Sequence, residues 1–98
     1  MPKAYVVTTY RKINDPEALA EYAKLATPAV QAGGGRFLAR GDAAKAYEMG
    51  QILRTVIIEF PSVEAAVGVY EGLAYARALA ALGKDACERD MRIVPGVD

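Results

Sequence analysis

The chain of 98 residues contains no histidine and only one cysteine, and the first of these absences excludes the most chemistry. Histidine is the usual general base near neutral pH, a frequent zinc ligand and the proximal ligand of many haem proteins. Cys87 has no histidine to activate it as a nucleophile and no second cysteine with which to form an internal disulfide. We therefore expect no metal site and no bound cofactor.

The chain also lacks an excess of charge of either sign, since twelve basic residues balance twelve acidic ones. Without a net field there is little to attract nucleic acid or an anionic membrane surface. No uninterrupted apolar run approaches the roughly 18 residues that a membrane-spanning helix needs, and no secretory signal pattern is evident. These absences predict no nucleic-acid partner, no membrane partner and a cytoplasmic location, in a single domain over residues 1–98.

The first half of the chain predicts a strand, a helix and a second strand. Residues 4–11 are rich in β-branched and aromatic side chains, which favour a strand. Asp15 fits the N-cap of a helix whose first residue is Pro16. Pro28 predicts a kink in that helix, or a new helix capped by Thr27. Glycines at 33–35 then end the helix, and residues 36–41 form the second strand.

The second half predicts two more strands and a divided helix. Residues 52–60 form the strongest strand, and Ser62 can cap a helix that begins at residue 63. Glycines at 68 and 72 divide this helix, so that a second segment runs over residues 73–82 and ends at Gly83. The last strand starts at Arg89. The order βαββαβ is that of the α+β ferredoxin-like fold, an antiparallel four-stranded sheet with its helices on one face.

The first predicted strand is apolar or aromatic on both of its sides, which indicates that both faces of the sheet are covered. Successive side chains alternate between the faces of a strand. The two sides carry Ala4, Val6, Thr8 and Tyr10 on one, and Tyr5, Val7 and Thr9 on the other. Because helices would cover only one face, the other would leave a larger apolar patch than monomers tolerate. We therefore expect a homodimer through the sheet faces.

Three arginines are candidate ligand-binding residues. Arg36 and Arg40 are four residues apart on one strand, which predicts that they share a face, and Arg54 opens the strand expected to pair with it. Guanidinium groups in this arrangement suit a carboxylate or a phosphate. The alternative is an ion-pair cluster with acidic residues at the ends of the sheet, namely Asp42, Glu59 or Asp90.

Glu59 and three tyrosines are the other candidates. A partly buried carboxylate such as Glu59 can act as a base, or it can simply pair with an arginine. Tyr22, Tyr70 and Tyr75 lie on the predicted apolar stripes of the helices and are typical of a packed core. Their hydroxyls could equally line a cleft between helices and sheet, with Tyr22 and Tyr75 as ligand-binding candidates.

Four parts of the chain resemble the bacterial domain of unknown function numbered 1330 (DUF1330): residues 34–41 (GGRFLARG), residues 54–62 (RTVIIEFPS), Tyr75 and residues 90–97 (DMRIVPGV). The resemblance covers nearly the whole chain. It implies the fold of the dimeric α+β barrel superfamily, whose relatives include antibiotic-biosynthesis monooxygenases, muconolactone-isomerase-like enzymes and haem-degrading proteins. Where relatives commonly have a Ser-Pro-Glu-Tyr-like start to the last helix, this chain has GLAY at 72–75 and keeps only the tyrosine.

Together these features predict a homodimer that binds a small anionic or aromatic metabolite in a cleft between sheet and helices. If the protein is an enzyme, its composition favours cofactor-independent proton transfer or oxygenation of an activated substrate. Glu59 would then be the base, Arg40 or Arg54 would neutralise developing negative charge, and Tyr75 would donate a hydrogen bond. The alternative is a structural or regulatory dimer with no ligand pocket.

Overall fold

The computed structural model describes residues 2–97, which form one antiparallel sheet of four strands with three helices on one face. In chain order the elements are β1 (Ala4–Ile13), α1 (Pro16–Ala32), β2 (Arg36–Asp42), β3 (Arg54–Phe60), α2 (Val63–Tyr70), α3 (Leu73–Leu82) and β4 (Cys87–Pro95). The strands are ordered β2-β3-β1-β4, and all neighbours are antiparallel. The predicted ferredoxin-like α+β fold is confirmed. Within residues 2–97 no helix has the length and apolarity to cross a membrane.

The helix starts follow from local capping. The Asp15 carboxylate accepts a hydrogen bond from the backbone N–H of Ala18 at 3.1 Å, and the Ser62 hydroxyl accepts one from Ala65 at 3.0 Å. Each bond satisfies one of the backbone donors that a first helical turn leaves free. Both predicted caps are confirmed. The predicted division of the second helix is also confirmed, because α2 ends at Tyr70 and α3 begins at Leu73.

Pro28 does not divide α1, so the predicted new helix capped by Thr27 is wrong. The helix continues through Pro28 to Ala32. Proline removes one backbone hydrogen bond of the helix and crowds the turn before it. Ala26 and Val30, on either side of Pro28, are both buried, so the turns before and after the proline both pack against the core.

The two faces of the sheet differ in what covers them. The side chains of β1 that face the helices are Ala4, Val6, Thr8 and Tyr10, and all four are buried. We call this side the covered face. Tyr5, Val7 and Thr9 point to the other side, the open face, and are only half-buried. The largest fully buried side chains are those of Val6, Val30 and Phe60, which place the centre of the core between α1 and the covered face.

A β-bulge in β2 changes the expected positions of the arginines. Arg36 pairs with Glu59 on the open face, whereas Arg40 pairs with Val56 on the covered face, because the register shifts between Phe37 and Ala39. One extra residue in a strand moves every following side chain to the opposite face. The expectation that Arg36 and Arg40 share a face is therefore wrong.

Candidate functional site

A cleft of about 60 Å³ lies between α1 and the covered face of the sheet. Thr8, Tyr10, Arg54 and Val56 contribute its floor from β1 and β3, and Tyr22 borders it from α1. Arg40 stands at the edge, with its guanidinium carbon 4.8 Å from the centroid of the Phe37 ring. Among residues 2–97, no aspartate or glutamate lines this cleft.

Two arginines flank a single tyrosine in one row across the sheet. Tyr10 on β1 pairs with Arg54 on β3 and with Arg89 on β4, so the three residues project from the same face. The guanidinium carbons of Arg54 and Arg89 lie 5.9 Å and 5.6 Å from the centroid of the Tyr10 ring. Both distances are within the range of a cation–π contact, and both contacts place positive charge against one aromatic ring.

Arg89 is the centre of a cluster of tyrosines, which we call the tyrosine cluster: Tyr10, Tyr22, Tyr70 and Tyr75. Arg89 donates hydrogen bonds to the hydroxyls of Tyr10 at 3.1 Å and Tyr75 at 3.2 Å. The hydroxyls of Tyr22 and Tyr75 are 2.7 Å apart. The rings of Tyr70 and Tyr75 meet edge to face at 4.6 Å, and the Arg89 guanidinium carbon lies 4.7 Å from the Tyr22 centroid. The tyrosine hydroxyls accept hydrogen bonds from Arg89, and the Tyr22 ring lies against its guanidinium group. These contacts hold Arg89 in place through phenol groups and not through a carboxylate.

The tyrosine cluster stays neutral and Arg89 stays charged at physiological pH. Burial raises the pKa of Tyr22 and of Tyr70, and it also raises the pKa of Tyr75 against the opposing influence of Arg89. For Arg89, burial acts to lower the pKa, but the surrounding hydroxyls of Tyr22 and Tyr75 outweigh it and the net pKa is raised. The phenols are therefore suited to donate hydrogen bonds and not to act as bases.

Arg40 and Arg54 on the cleft wall, and Arg89 beside Tyr10, form no ion pair within residues 2–97. The ion pairs of this part of the chain are Lys3–Glu59, Arg11–Asp90, Arg92–Asp90 and Lys24–Glu21. The Nε atom of Arg54 is buried and has no hydrogen-bond partner in the described part of the chain. A buried donor without an acceptor costs about 1–3 kcal/mol. The cleft is therefore electropositive, and the ion-pair cluster considered for Arg40 and Arg54 is not formed among the described residues.

The structure brings some of the predicted site residues together and separates others. Arg40, Arg54 and Tyr22 border the cleft, and Tyr75 is linked to it through the hydroxyl of Tyr22. Arg36 is exposed on the open face, away from them.

Glu59 also lies on the open face, so it does not face Tyr75. Its carboxylate pairs with the Lys3 ammonium at 3.6 Å and accepts a hydrogen bond from the Tyr5 hydroxyl at 3.4 Å. The sheet separates this carboxylate from Arg40, Arg54 and the tyrosine cluster. Glu59, the expected base, and Tyr75, the expected hydrogen-bond donor, therefore lie on opposite sides of the sheet.

Two residues of the site, Tyr10 and Arg89, were not predicted from the sequence. Arg89 alternates with Met91 and Ile93, so its strand carries one arginine among apolar side chains on the covered face. That alternation is a signal for a charge directed inward. The contact of Arg89 with Tyr10 follows only from the pairing register of β1 and β4, since the two residues are 79 positions apart in the chain.

A second cavity of about 270 Å³ continues along β4. It shares Tyr70 and Met91 with the cleft, and Arg89 lies on its wall. The remaining wall is mainly apolar and includes Val6, Tyr75, Leu79 and Ile93. Arg54 therefore faces one cavity and Arg89 the other, with Tyr10 between them.

Comparison with known proteins gives a family match and several structural relatives. Residues 3–97 match the model of a family described as a domain of unknown function, DUF1330. A protein of unknown function from Rhodopseudomonas palustris is similar in structure, with 20% identity and a TM-score of 0.71 over 96% of this chain and 80% of the other. No curated protein matches the chain.

Two further relatives are described as candidate antibiotic biosynthesis monooxygenases. The one from Caulobacter crescentus has 18% identity and a TM-score of 0.64, over 99% of this chain and 92% of the other. The one from Nitrosomonas europaea has 13% identity and a TM-score of 0.60, over 99% of this chain and 93% of the other. At these identities the similarity establishes the fold that the proteins share.

Proposed function

We propose that this chain, which belongs to the DUF1330 family, binds a small organic anion between α1 and the sheet. Because the description of the family assigns no activity, this ligand is inferred from the side chains around the cleft. The observation that carries this proposal is the positive charge of Arg40 and Arg54, neither in an ion pair among residues 2–97, on the wall of a cleft that no acidic residue of that range lines. Arg89 adds a further positive charge next to the cleft residues Tyr10 and Tyr22. A carboxylate would accept charge-assisted hydrogen bonds from the accessible N–H groups of these guanidinium ions.

The body of the ligand is compact and apolar or aromatic. Tyr10, Leu19, Tyr22, Val56 and other apolar side chains provide most of the cleft wall. Aromatic rings and aliphatic side chains favour a ligand that also buries apolar surface. The cleft, of about 60 Å³, is partly open to the surface, so a small ligand can enter it from outside.

Binding, and not proton abstraction by Glu59, is the activity that this geometry supports. The Glu59 carboxylate is directed to the open face, and the groups that face the cleft are guanidinium ions and neutral phenols. Such groups stabilise a negative charge but do not remove a proton from a substrate at neutral pH. The hydroxyl of Tyr10 accepts from Arg89, which leaves its own proton available to a ligand oxygen.

We expect Arg54→Gln to weaken the binding of benzoate about tenfold, because the substitution removes one charge-assisted hydrogen bond to the carboxylate. The measurement is isothermal titration calorimetry, supported by the ligand-induced rise in melting temperature. Arg36→Gln is the matched control and should bind benzoate as the unaltered protein does, since Arg36 lies on the open face. Benzamide, which has the same shape without the charge, should not bind detectably.

The anion-binding proposal is contradicted if neither benzoate nor a series of small aliphatic carboxylates raises the melting temperature of the unaltered protein. It is also contradicted if Arg36→Gln and Arg54→Gln weaken binding equally. A dimer whose melting temperature is unchanged by all of these ligands would instead support the structural or regulatory alternative.

Two copies of the chain associate through the open face in this proposal. The described residues form a slab of 37 × 36 × 16 Å, with the helices on one broad side and the half-buried Tyr5, Val7 and Ile57 on the other. In the adjoining loop at residues 43–53, Tyr47 and Met49 are 74% and 96% exposed. A second copy would remove this apolar surface from water.

We expect Val7→Glu to convert the dimer into single chains of 10.5 kDa, because it buries a charge at the centre of the proposed interface. Light scattering coupled to size-exclusion chromatography measures the mass, and circular dichroism checks that the variant is folded. Leu25→Glu, on the exposed side of α1, is the control and should remain a dimer. A single-chain mass for the unaltered protein at micromolar concentration would refute the dimer.

A further inference from the structure

The arrangement of Arg54, Tyr10 and Arg89 specifies the ligand of the cleft more closely. These three residues form one row on the covered face, with a strand between the two arginines. Neighbouring strands are about 4.8 Å apart, so the backbones of Arg54 and Arg89 are separated by roughly 10 Å. The two guanidinium groups lie against the same Tyr10 ring, so their positive charges are close enough to repel each other.

Both guanidinium groups keep unused hydrogen-bond donors. Arg89 directs two of its five N–H groups to the hydroxyls of Tyr10 and Tyr75, and Tyr22 is a further hydrogen-bonding neighbour. The Nε of Arg54 is buried without a partner among residues 2–97. Neither arginine is in an ion pair in the described part of the chain. The row thus presents two separate positive sites on either side of one aromatic ring.

A ligand with one acidic group would neutralise one of these sites and leave the other positive. We infer that the ligand is a compact organic diacid, with one carboxylate at Arg54 and the other at Arg89, and with its carbon chain alongside Tyr10. This inference rests on the proposed binding of an organic anion in the cleft. Arg40 adds a further positive charge at the edge next to Arg54.

The two cavities are adjacent, and each has one arginine of the row on its wall. Arg54 lines the cleft and Arg89 lines the second cavity, and the two spaces share the side chains of Tyr70 and Met91. A flexible diacid lies across this boundary and places its two ends in different cavities. A phosphate group carries its two negative charges on a single centre, so it cannot place one charge in each cavity.

The test compares glutarate with its monomethyl ester, which has the same carbon skeleton and only one carboxylate. Titration calorimetry at matched ionic strength should give an affinity for glutarate about tenfold higher than for the ester, or more. In Arg54→Gln and in Arg89→Gln this ratio should fall to about one, because each variant keeps a single site. Arg77→Gln, an exposed substitution on α3, should keep the ratio of the unaltered protein.

The outcomes separate this inference from the proposed function. If glutarate and its ester bind equally, the diacid is wrong while anion binding stands. If neither they nor benzoate bind, the proposed function itself is wrong. If inorganic phosphate binds more tightly than glutarate, a single doubly charged group is the better ligand and the diacid is overturned. Because Arg89 is half-buried, the folding of Arg89→Gln is checked by circular dichroism. If that variant does not fold, the affinity ratio of glutarate to its ester in the unaltered protein still tests the diacid.

Discussion

We expect Phe60→Ala to lower the free energy of unfolding by about 3–5 kcal/mol, the largest single effect among these predictions. Phe60 is the last residue of β3 and has no exposed surface. Its ring meets Tyr70 edge to face at 6.1 Å and reaches the backbone at Gly35. Alanine would remove the ring from the point where α1, β2 and α2 meet, and the surrounding main chain cannot close the space.

Urea unfolding followed by circular dichroism measures this loss. Phe60→Leu keeps most of the volume and should cost less than half as much as alanine. Leu25→Ala, at an exposed position on α1, should change the stability by at most about 0.5 kcal/mol. A loss below 1 kcal/mol for Phe60→Ala would show that the ring does not hold these elements together.

Gly35→Ala should lower the free energy of unfolding by about 3 kcal/mol, the upper end of the usual range for overpacking. A Cβ atom at this position would lie 2.8 Å from Cζ of Phe60 and 2.9 Å from the carbonyl oxygen of Val30, and it would overlap the Val30 side chain. One of these neighbours is backbone at the end of α1, which cannot rotate away. The absence of a side chain at Gly35 allows α1 to pass directly into β2.

The matched control is Gly68→Ala, because an added Cβ there has no heavy atom within 4 Å. Position 68 is inside α2, where alanine is the better helix former, so this variant should be more stable by about 0.5–1 kcal/mol. The same urea unfolding measures both glycines. If Gly35→Ala were as stable as the unaltered protein, α1 would not be seated on β2 by this close approach.

The three consecutive glycines illustrate how far local reasoning extends. Gly34 has a φ of +96°, which is the left-handed conformation that the sequence predicts for the end of a helix. Gly35 is needed for packing, since the absence of a Cβ atom leaves space for the side chains of Val30 and Phe60. The first role follows from the residue type, whereas the second depends on a side chain that is 25 positions away in the chain.

The pairing register explains why the candidate site was predicted only in part. Arg40, Arg54, Tyr22 and Tyr75 are the ligand-binding residues that the sequence predicts, together with Arg36. The structure places Arg40, Arg54 and Tyr22 on the cleft wall and joins Tyr75 to Tyr22. Arg36 was assigned to the same face as Arg40 by counting residues, and the bulge in β2 reverses that assignment.

The amino-acid sequence by itself determined the order of the elements, their caps and the alternation of buried side chains along β1. These features depend on residues two to four positions apart, as when Asp15 caps the helix that begins at Pro16. Only the tertiary structure decided which charges meet. The row of Arg54, Tyr10 and Arg89 depends on strand pairing across most of the chain, and such pairing is set by how the helices and strands pack.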